Sequence, residues 1–231
     1  MDTFIKIAHR GASGYEPENT LRSFQKAIEL GVDVIEFDVH ICKTGEVVVI
    51  HDDSVDRTTN GKGKIVDKTL GELKILDAGK GEKIPMLEEA LDLIDRKAKI
   101  NIELKGVGAV EPTAKIIRNF VLSKGWNYDD FLVSSLNFSE LEIFYHQKIP
   151  VKLGVVVGLR NLLFKKYFEF AKSIDAFSIH FLKFLASPKR IGGARREGFK
   201  VYIWAVNSEK EIKKFKTWKA DGIFSDFPDR L

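Results

Sequence analysis

A single cysteine, Cys42, stands in a chain of 231 residues, so no disulfide can form within it. No uninterrupted apolar run approaches the roughly 20 residues that a membrane-spanning helix requires. The opening stretch MDTFIKIAHRG also lacks the charged-then-apolar plan of a secretory signal. These absences predict a soluble, cytoplasmic protein with no integral membrane association. Charge of one sign is in short supply too. The 37 basic and 33 acidic side chains leave a formal net charge of +4, which points by itself to neither nucleic acid nor an acidic membrane. With no repeats, low-complexity tracts or linkers, residues 1–231 are read as one domain. At 44% hydrophobic content they can bury one sizeable core.

Short apolar, β-branched runs recur along the whole chain: 5–9, 34–39, 100–105, 132–136, 152–157, 176–180, 201–206 and 223–226. Between most of them lie stretches with apolar residues near helical spacing: 20–30, 87–96, 111–123, 139–146, 165–171, 188–197 and 208–218. Eight strands alternating with helices predict an α/β fold with a parallel sheet closed into a (β/α)8 TIM barrel. One interval departs from this plan. Residues 46–51 form a further strand-like run after Lys43-Thr44-Gly45, which reads as a hairpin. With its tip at 43–46, Cys42 would face Val47 and Asp38 would face His51, returning His51 to the top of the second strand. The rest of an insertion spanning about 43–86 is rich in Gly, Asp, Thr and Lys. It is expected to lie over the barrel mouth, packed by Ile65, Val66, Leu70, Leu73, Ile75 and Leu76.

Barrels of this kind build their active sites at the C-terminal ends of the strands. His9 and Arg10 end the first strand, Glu36 and Asp38 the second, and Glu103 and Lys105 the third. Residues two apart on a strand share a face, so these carboxylates converge if that face is the interior. Three crowded carboxylates repel unless protons or a cation neutralise them, and an all-oxygen set suits a hard divalent ion such as Mg2+ or Ca2+, with Mn2+ a further candidate. His9 and His51 could share general acid and base duty at a phosphodiester, and Arg10 and Lys105 could carry its negative charge. The plainer reading of those two cations is neutralisation of the carboxylates. His40, His146 and His180 are read as packed or surface residues.

The segments His9-Arg10-Gly11, Pro17-Glu18-Asn19-Thr20, Glu36-Phe37-Asp38-Val39, His51-Asp52, Glu103-Leu104-Lys105 and Asp221 to Asp226 with Pro228 resemble, in this order, the glycerophosphodiester phosphodiesterase family. Asp56-Arg57-Thr58-Thr59-Asn60-Gly61 and Ile84 to Glu89 resemble the family's excursion after the second strand. The resemblance spans nearly the whole chain. It implies a (β/α)8 barrel with a small insertion, metal-dependent cleavage of a small-molecule glycerophosphodiester, and release of sn-glycerol 3-phosphate and an alcohol. It further implies Glu36, Asp38 and Glu103 as metal ligands, His9 and His51 as the acid–base pair, and Arg10 and Lys105 as phosphate contacts. Trp204 matches a substrate-pocket tryptophan. Glu18 and Asn19 match supporting residues, with Asn19 or Thr20 capping the first helix. The departure is Leu136, where relatives usually carry phenylalanine. Water and a neighbouring glycerol hydroxyl both remain candidate nucleophiles.

The loops after the fifth and sixth strands are apolar: Leu159, Leu162, Leu163 and Phe164, then Phe181, Leu182, Phe184 and Leu185. They are read as helix core, as a homodimer contact, or as a lip for an acyl chain, the last of which favours lysolipids. The lysines at 210, 213, 214, 216 and 219 read as the solvated face of the last helix. Rival functions are a lysophospholipase D-like or sphingomyelinase D-like enzyme and a non-catalytic phosphoglycerol-binding barrel. No aromatic and basic groove supports a nuclease.

Overall fold

The computed structural model describes residues 4–159 and 167–231. Its centre is a closed ring of eight parallel strands: β1 (Ile5–His9), β2 (Val34–Ile41), β4 (Lys99–Leu104), β5 (Phe131–Ser135), β6 (Lys152–Val157), β7 (Ser178–Leu182), β8 (Lys200–Trp204) and β9 (Gly222–Ser225). Closure comes from β1 lying between β2 and β9, with Ile7 beside both Val34 and Phe224. Around the ring run α1 (Leu21–Glu29), α3 (Leu87–Ile94), α4 (Val110–Ser123), α5 (Phe138–His146), α6 (Tyr167–Ser173), α7 (Pro188–Arg196) and α8 (Glu209–Thr217). This is the expected (β/α)8 barrel. The start of the helix expected over 165–171, and Leu162, Leu163 and Phe164, lie outside the described residues.

Residues of opposite parity on each strand divide the interior. One set, such as Ile35, Phe37, Ile102, Val133 and Val155, packs outward against the helices in the main core. The other fills the lumen, where Ile7, Leu132, Tyr202 and Phe224 form a separate small cluster. Helix starts follow local chemistry. Thr20, with extended backbone, accepts from the Ser23 N–H and caps α1, while Ser187 caps α7 ahead of Pro188. Burial of Phe24 and Ala27 fixes which face of α1 meets the barrel. Lys210, Lys213, Lys214, Lys216 and Lys219 are exposed around α8, while Ile212 and Phe215 are buried, as the spacing predicts.

The hairpin formed by β2 and β3 (Val47–Val49) forms one residue out of the expected register. Ile41 faces Val47 and Val39 faces Val49, so Asp38 lies opposite Ile50, whose N–H donates to the Asp38 carbonyl at 3.0 Å. The loop explains the slip. Cys42 N–H donates to the Glu46 carbonyl and Gly45 N–H to the Cys42 carbonyl, leaving three residues between paired positions rather than four. Gly45, at φ 98°, supplies the left-handed residue that such a loop needs.

Val48 of β3 and, beyond it, Ile50, Val55, Ile65, Leu73 and Ile84 form a core of their own with Cys42, against which α2 (Leu70–Lys74) packs. Val66 and Ile75, expected within it, are exposed, because the short 3-10 and helical turns here present Ile65 and Leu73 inward, with Leu70 and Leu76 partly buried against them. This excursion leans on the first β–α loop, where Lys80 Nζ donates to the Tyr15 carbonyl at 3.0 Å and to Glu16 at 2.8 Å. β7 runs to Leu182 rather than ending at His180. Phe181 is therefore a fully buried strand residue and Leu185 a buried neighbour, so neither belongs to an apolar lip. Leu159 and Phe184 are exposed, at 66% and 77%.

Candidate active site

All strands of the ring point their C-terminal ends to one mouth, and the polar residues singled out above meet there. Strand pairing sets the positions. His9 is beside Glu36 across β1 and β2, and Asp38 is beside Glu103 across β2 and β4. Glu36 and Asp38, two apart, share the inward face and are almost wholly buried. Glu36, Asp38 and Glu103 each offer an oxygen within 4.8 Å of the others. Among the described residues this is the group of three that could hold a metal ion. Crowding of this kind is relieved by a proton or by a cation. Burial and the neighbouring Asp38 push Glu36 up to about 8. Burial alone would also raise Asp38, but Lys105, His51 and Arg10 outweigh it and hold that carboxyl below the usual range. Three carboxylate oxygens this close make an all-oxygen donor set of the kind a hard divalent ion takes, so the residues present fit such an ion.

The loop after β1 wraps the cluster. Arg10 and Asn19 both adopt left-handed backbone at φ 56°, which turns the Arg10 N–H onto Glu36 Oε2 at 2.8 Å. Asn19 does not cap α1, a place taken by Thr20. It donates through Nδ2 to Asp38 Oδ2 at 3.0 Å and so fixes one of the three carboxylates. Arg10 Nη1 donates to Glu18 at 2.8 Å, and its Nε lies 3.5 Å from Asp38. Lys105 Nζ reaches Glu103 at 3.1 Å and Asp38 at 3.8 Å.

Each histidine of the mouth is held by a carboxylate on Nδ1. His9 Nδ1 stands 2.6 Å from Asp226 Oδ1, and His51 Nδ1 stands 2.6 Å from Asp52 Oδ1. Both rings therefore turn Nε2 toward the mouth. Burial works against a charged His9, but the Asp226 hydrogen bond and the nearby Glu36 outweigh it and raise its pKa. Asp226 in turn falls to about 2, burial opposing and His9, Asn207 and Ser13 prevailing. His51 Nε2 lies 3.1 Å from Lys105 Nζ, and its carbonyl accepts from His40 Nε2 at 3.1 Å. His40 is buried in this role, His146 is exposed, and His180 is buried beneath the site against Tyr202 and Phe224. Trp204 ends β8, with its indole N–H on the His180 carbonyl at 3.2 Å.

These groups line a cavity of about 50 Å³ whose remaining wall is Leu136, Val156, His180, Trp204 and Phe224. A larger hollow, about 390 Å³, opens at the opposite end of the barrel among Ile5, Val34, Ile100, Phe131 and Phe177. Size does not select it. Its rim charges are engaged in structure, Asp129 with Lys152 at 3.0 Å and Asp33 with the Lys6 N–H at 2.8 Å, and no histidine faces it.

Sequence reading placed all ten of its site residues at this mouth but missed what orients them: Asp226, Asp52, Arg57, Asn207 and His40. Asp52, Arg57 and Asp226 stood inside recognisable motifs, yet no local pattern says that Asp226 pairs with a histidine 217 positions earlier.

A closed α/β barrel with carboxylates, imidazoles and cations at its C-terminal mouth has the layout of a barrel enzyme. Comparison narrows the class. The model of the glycerophosphoryl diester phosphodiesterase family matches residues 9–230. The glycerophosphodiester phosphodiesterase of Caldanaerobacter subterraneus subsp. tengcongensis is 36% identical over 242 residues, covering 100% of this chain and 97% of that protein. That of Bacillus altitudinis is 37% identical over 240 residues, covering 97% and 95%. The structure of an Oleispira antarctica phosphodiesterase in complex with the product sn-glycerol-3-phosphate superposes with a TM-score of 0.87 at 33% identity, covering 97% and 93% of the two chains. The chain belongs to the glycerophosphoryl diester phosphodiesterase family and is a phosphoric diester hydrolase. No helix among the described residues is long and apolar enough to cross a membrane.

Proposed function

We propose that the chain, working as one domain, hydrolyses glycerophosphodiesters to sn-glycerol 3-phosphate and an alcohol, with His9 and His51 as the acid–base pair. The observation that carries this reading is the matched pair of imidazoles, each fixed through Nδ1 at 2.6 Å and flanking the carboxylate cluster. The product seen in the Oleispira antarctica relative supports the substrate class. Glu36, Asp38 and Glu103 would hold Mg2+, Ca2+ or Mn2+, which supplies positive charge to the non-bridging phosphate oxygens. Arg10 adds to that charge from the side of the first loop, and Lys105 from the side of β4.

The position of Lys105 supports a division of parts between the two histidines. An ammonium group only donates, so the His51 Nε2 facing it carries a lone pair and Nδ1 carries the proton given to Asp52. When a phosphate draws Lys105 toward itself, that lone pair is free to take the proton of the attacking hydroxyl. His9, held toward its protonated form by Asp226 and Glu36, gives its proton to the departing alcohol. Trp204 and Leu136 shape the wall against which the glycerol and alcohol rest.

The test is a panel of glycerophosphodiesters incubated with Mg2+, Ca2+, Mn2+ or chelator, with both products identified. His9→Ala and His51→Ala should each lose at least about a hundredfold in turnover, the lower range for acid–base catalysis. Wild-type turnover in the double variant would remove the assignment. A second reading, hydrolysis of lysophospholipids in the same site, is favoured by the exposed Leu159 and Phe184. Higher turnover on lysophosphatidylcholine than on glycerophosphocholine would select it.

A further inference from the structure

Arg57 lies in the excursion after β3 with 47% of its side chain exposed, yet its guanidinium makes four hydrogen bonds to two carboxylates. Nη1 and Nη2 donate to the two oxygens of Glu18, each at 2.8 Å. Nε and Nη2 donate to the two oxygens of Asp52, at 2.7 and 3.0 Å. Neither carboxylate ends the chain of contacts. Asp52 continues to His51 Nδ1 at 2.6 Å, and Glu18 continues to Arg10 Nη1 at 2.8 Å. One planar cation thus joins the group that sets the His51 ring to the group that sets the Arg10 guanidinium.

The other histidine is held differently. Asp226 receives Ser13 Oγ at 3.0 Å and Asn207 Nδ2 at 2.5 Å, both neutral donors from loops of the barrel. The orientation of His9 is therefore built into the barrel, whereas that of His51 and Arg10 passes through a residue of the excursion. Engaging two carboxylates edge-on at once needs several N–H groups in a rigid plane, which a guanidinium has and an ammonium lacks.

We infer that Arg57 is a positioning residue that locks His51 and Arg10 into one geometry through Asp52 and Glu18, coupling the excursion to the reacting phosphate. The inference rests on the proposed catalytic roles of His51 and Arg10. Without Arg57, Asp52 and Glu18 lose their shared partner, the His51 ring loses its fixed tilt, and Arg10 loses its fixed reach. A displacement on the order of 1 Å at such groups costs on the order of a hundredfold in rate.

The experiment measures kcat and KM on a glycerophosphodiester for Arg57→Gln, Asp52→Asn, Glu18→Gln and the two pairs that contain Arg57→Gln, with folded protein quantified by circular dichroism. Arg57→Gln should lower kcat about ten- to a hundredfold, as should Asp52→Asn, and should also raise KM, as should Glu18→Gln. Adding Asp52→Asn to Arg57→Gln should cost no further kcat, and adding Glu18→Gln should bring no further rise in KM. Arg57→Lys, which keeps the charge and loses the fork, should stay well below wild type. Lys62→Gln, which breaks the 3.6 Å pair with Asp56 in the same excursion, should leave both constants within about twofold. The coupling is overturned if Arg57→Gln stays near wild type while His51→Ala is inactive, if its losses multiply with those of the partners, if Arg57→Lys restores full turnover, or if Lys62→Gln is equally impaired. Full activity in His51→Ala is a separate outcome, which would sink the catalytic reading itself.

Discussion

His51 and Lys105 stand 3.1 Å apart, Nε2 to Nζ, across the gap between the excursion and β4. Lys105 simultaneously serves Glu103 and lies near Asp38, and although burial opposes its charge, Glu103, Asp38 and Glu36 together raise its pKa. It is therefore a cation that keeps its charge at a point where a phosphate and an imidazole lone pair would meet. Lys105→Met should lower kcat/KM by roughly a hundredfold, in the range for loss of one charge-stabilising donor. Steady-state kinetics at saturating metal check this, and a loss smaller than about threefold would show that Lys105 only neutralises its carboxylate neighbours.

The carboxylate cluster makes a prediction about stability. Glu36 is pushed up to about 8 because burial and the neighbouring Asp38 both disfavour its charge. A divalent ion that binds the folded state alone stabilises it by RT ln(1 + [L]/Kd), roughly 3 kcal/mol at a hundredfold excess over Kd. Adding Mg2+, Ca2+ or Mn2+ to chelator-treated protein should raise the thermal midpoint in a concentration-dependent way. Asp38→Asn should flatten that response. A midpoint indifferent to all three ions would contradict a metal site here.

How much of this was legible in the sequence depends on range. Strand count and ring closure could be read because βα units repeat a local pattern, and Glu36, Asp38 and Glu103 could be placed because period-two alternation and strand order are local rules. The hairpin register could not, since whether Lys43-Thr44-Gly45 makes a three-residue loop is decided by one backbone hydrogen bond, from Cys42 to Glu46. The end of β7 was also hidden, because Phe181 is as apolar as a loop lip and as buried as a strand. Pairings such as Asp226 with His9 or Arg57 with Glu18 join distant positions, and although each partner stands in a local motif, no local pattern says which motif meets which.

Gly11 tests the loop that delivers Arg10. Its φ is 78°, and a Cβ there would lie 2.4 Å from Ser23 Oγ and 2.8 Å from the Ser23 carbonyl carbon. Both the backbone conformation and the space exclude a side chain, since the obstacle includes the backbone of α1. Gly11→Ala should destabilise by more than about 1 kcal/mol and lower turnover by displacing Arg10. Urea unfolding and kinetics on the same preparation measure the two, and unchanged values for both would mean that the loop relaxes freely.

His180 carries a pH prediction independent of catalysis. It is 1% exposed, exchanges a 2.8 Å hydrogen bond with Ser178 Oγ, and packs so closely on Gly154 that a Cβ there would lie 2.7 Å from its ring. Burial lowers its pKa from 6.5 to about 3. The sign follows from proton counting. Between these values the unfolded chain holds a proton that the folded chain refuses, so stability rises with pH through this window and falls as pH drops below 6.5. From pH 7 to pH 5 the loss due to this one residue is about 2 kcal/mol. His180→Leu loses the Ser178 contact, a cost independent of pH, and also loses this slope. Urea unfolding free energies measured across the range should therefore fall less steeply for His180→Leu than for the wild type, and parallel curves would show that the imidazole takes up its proton within the fold.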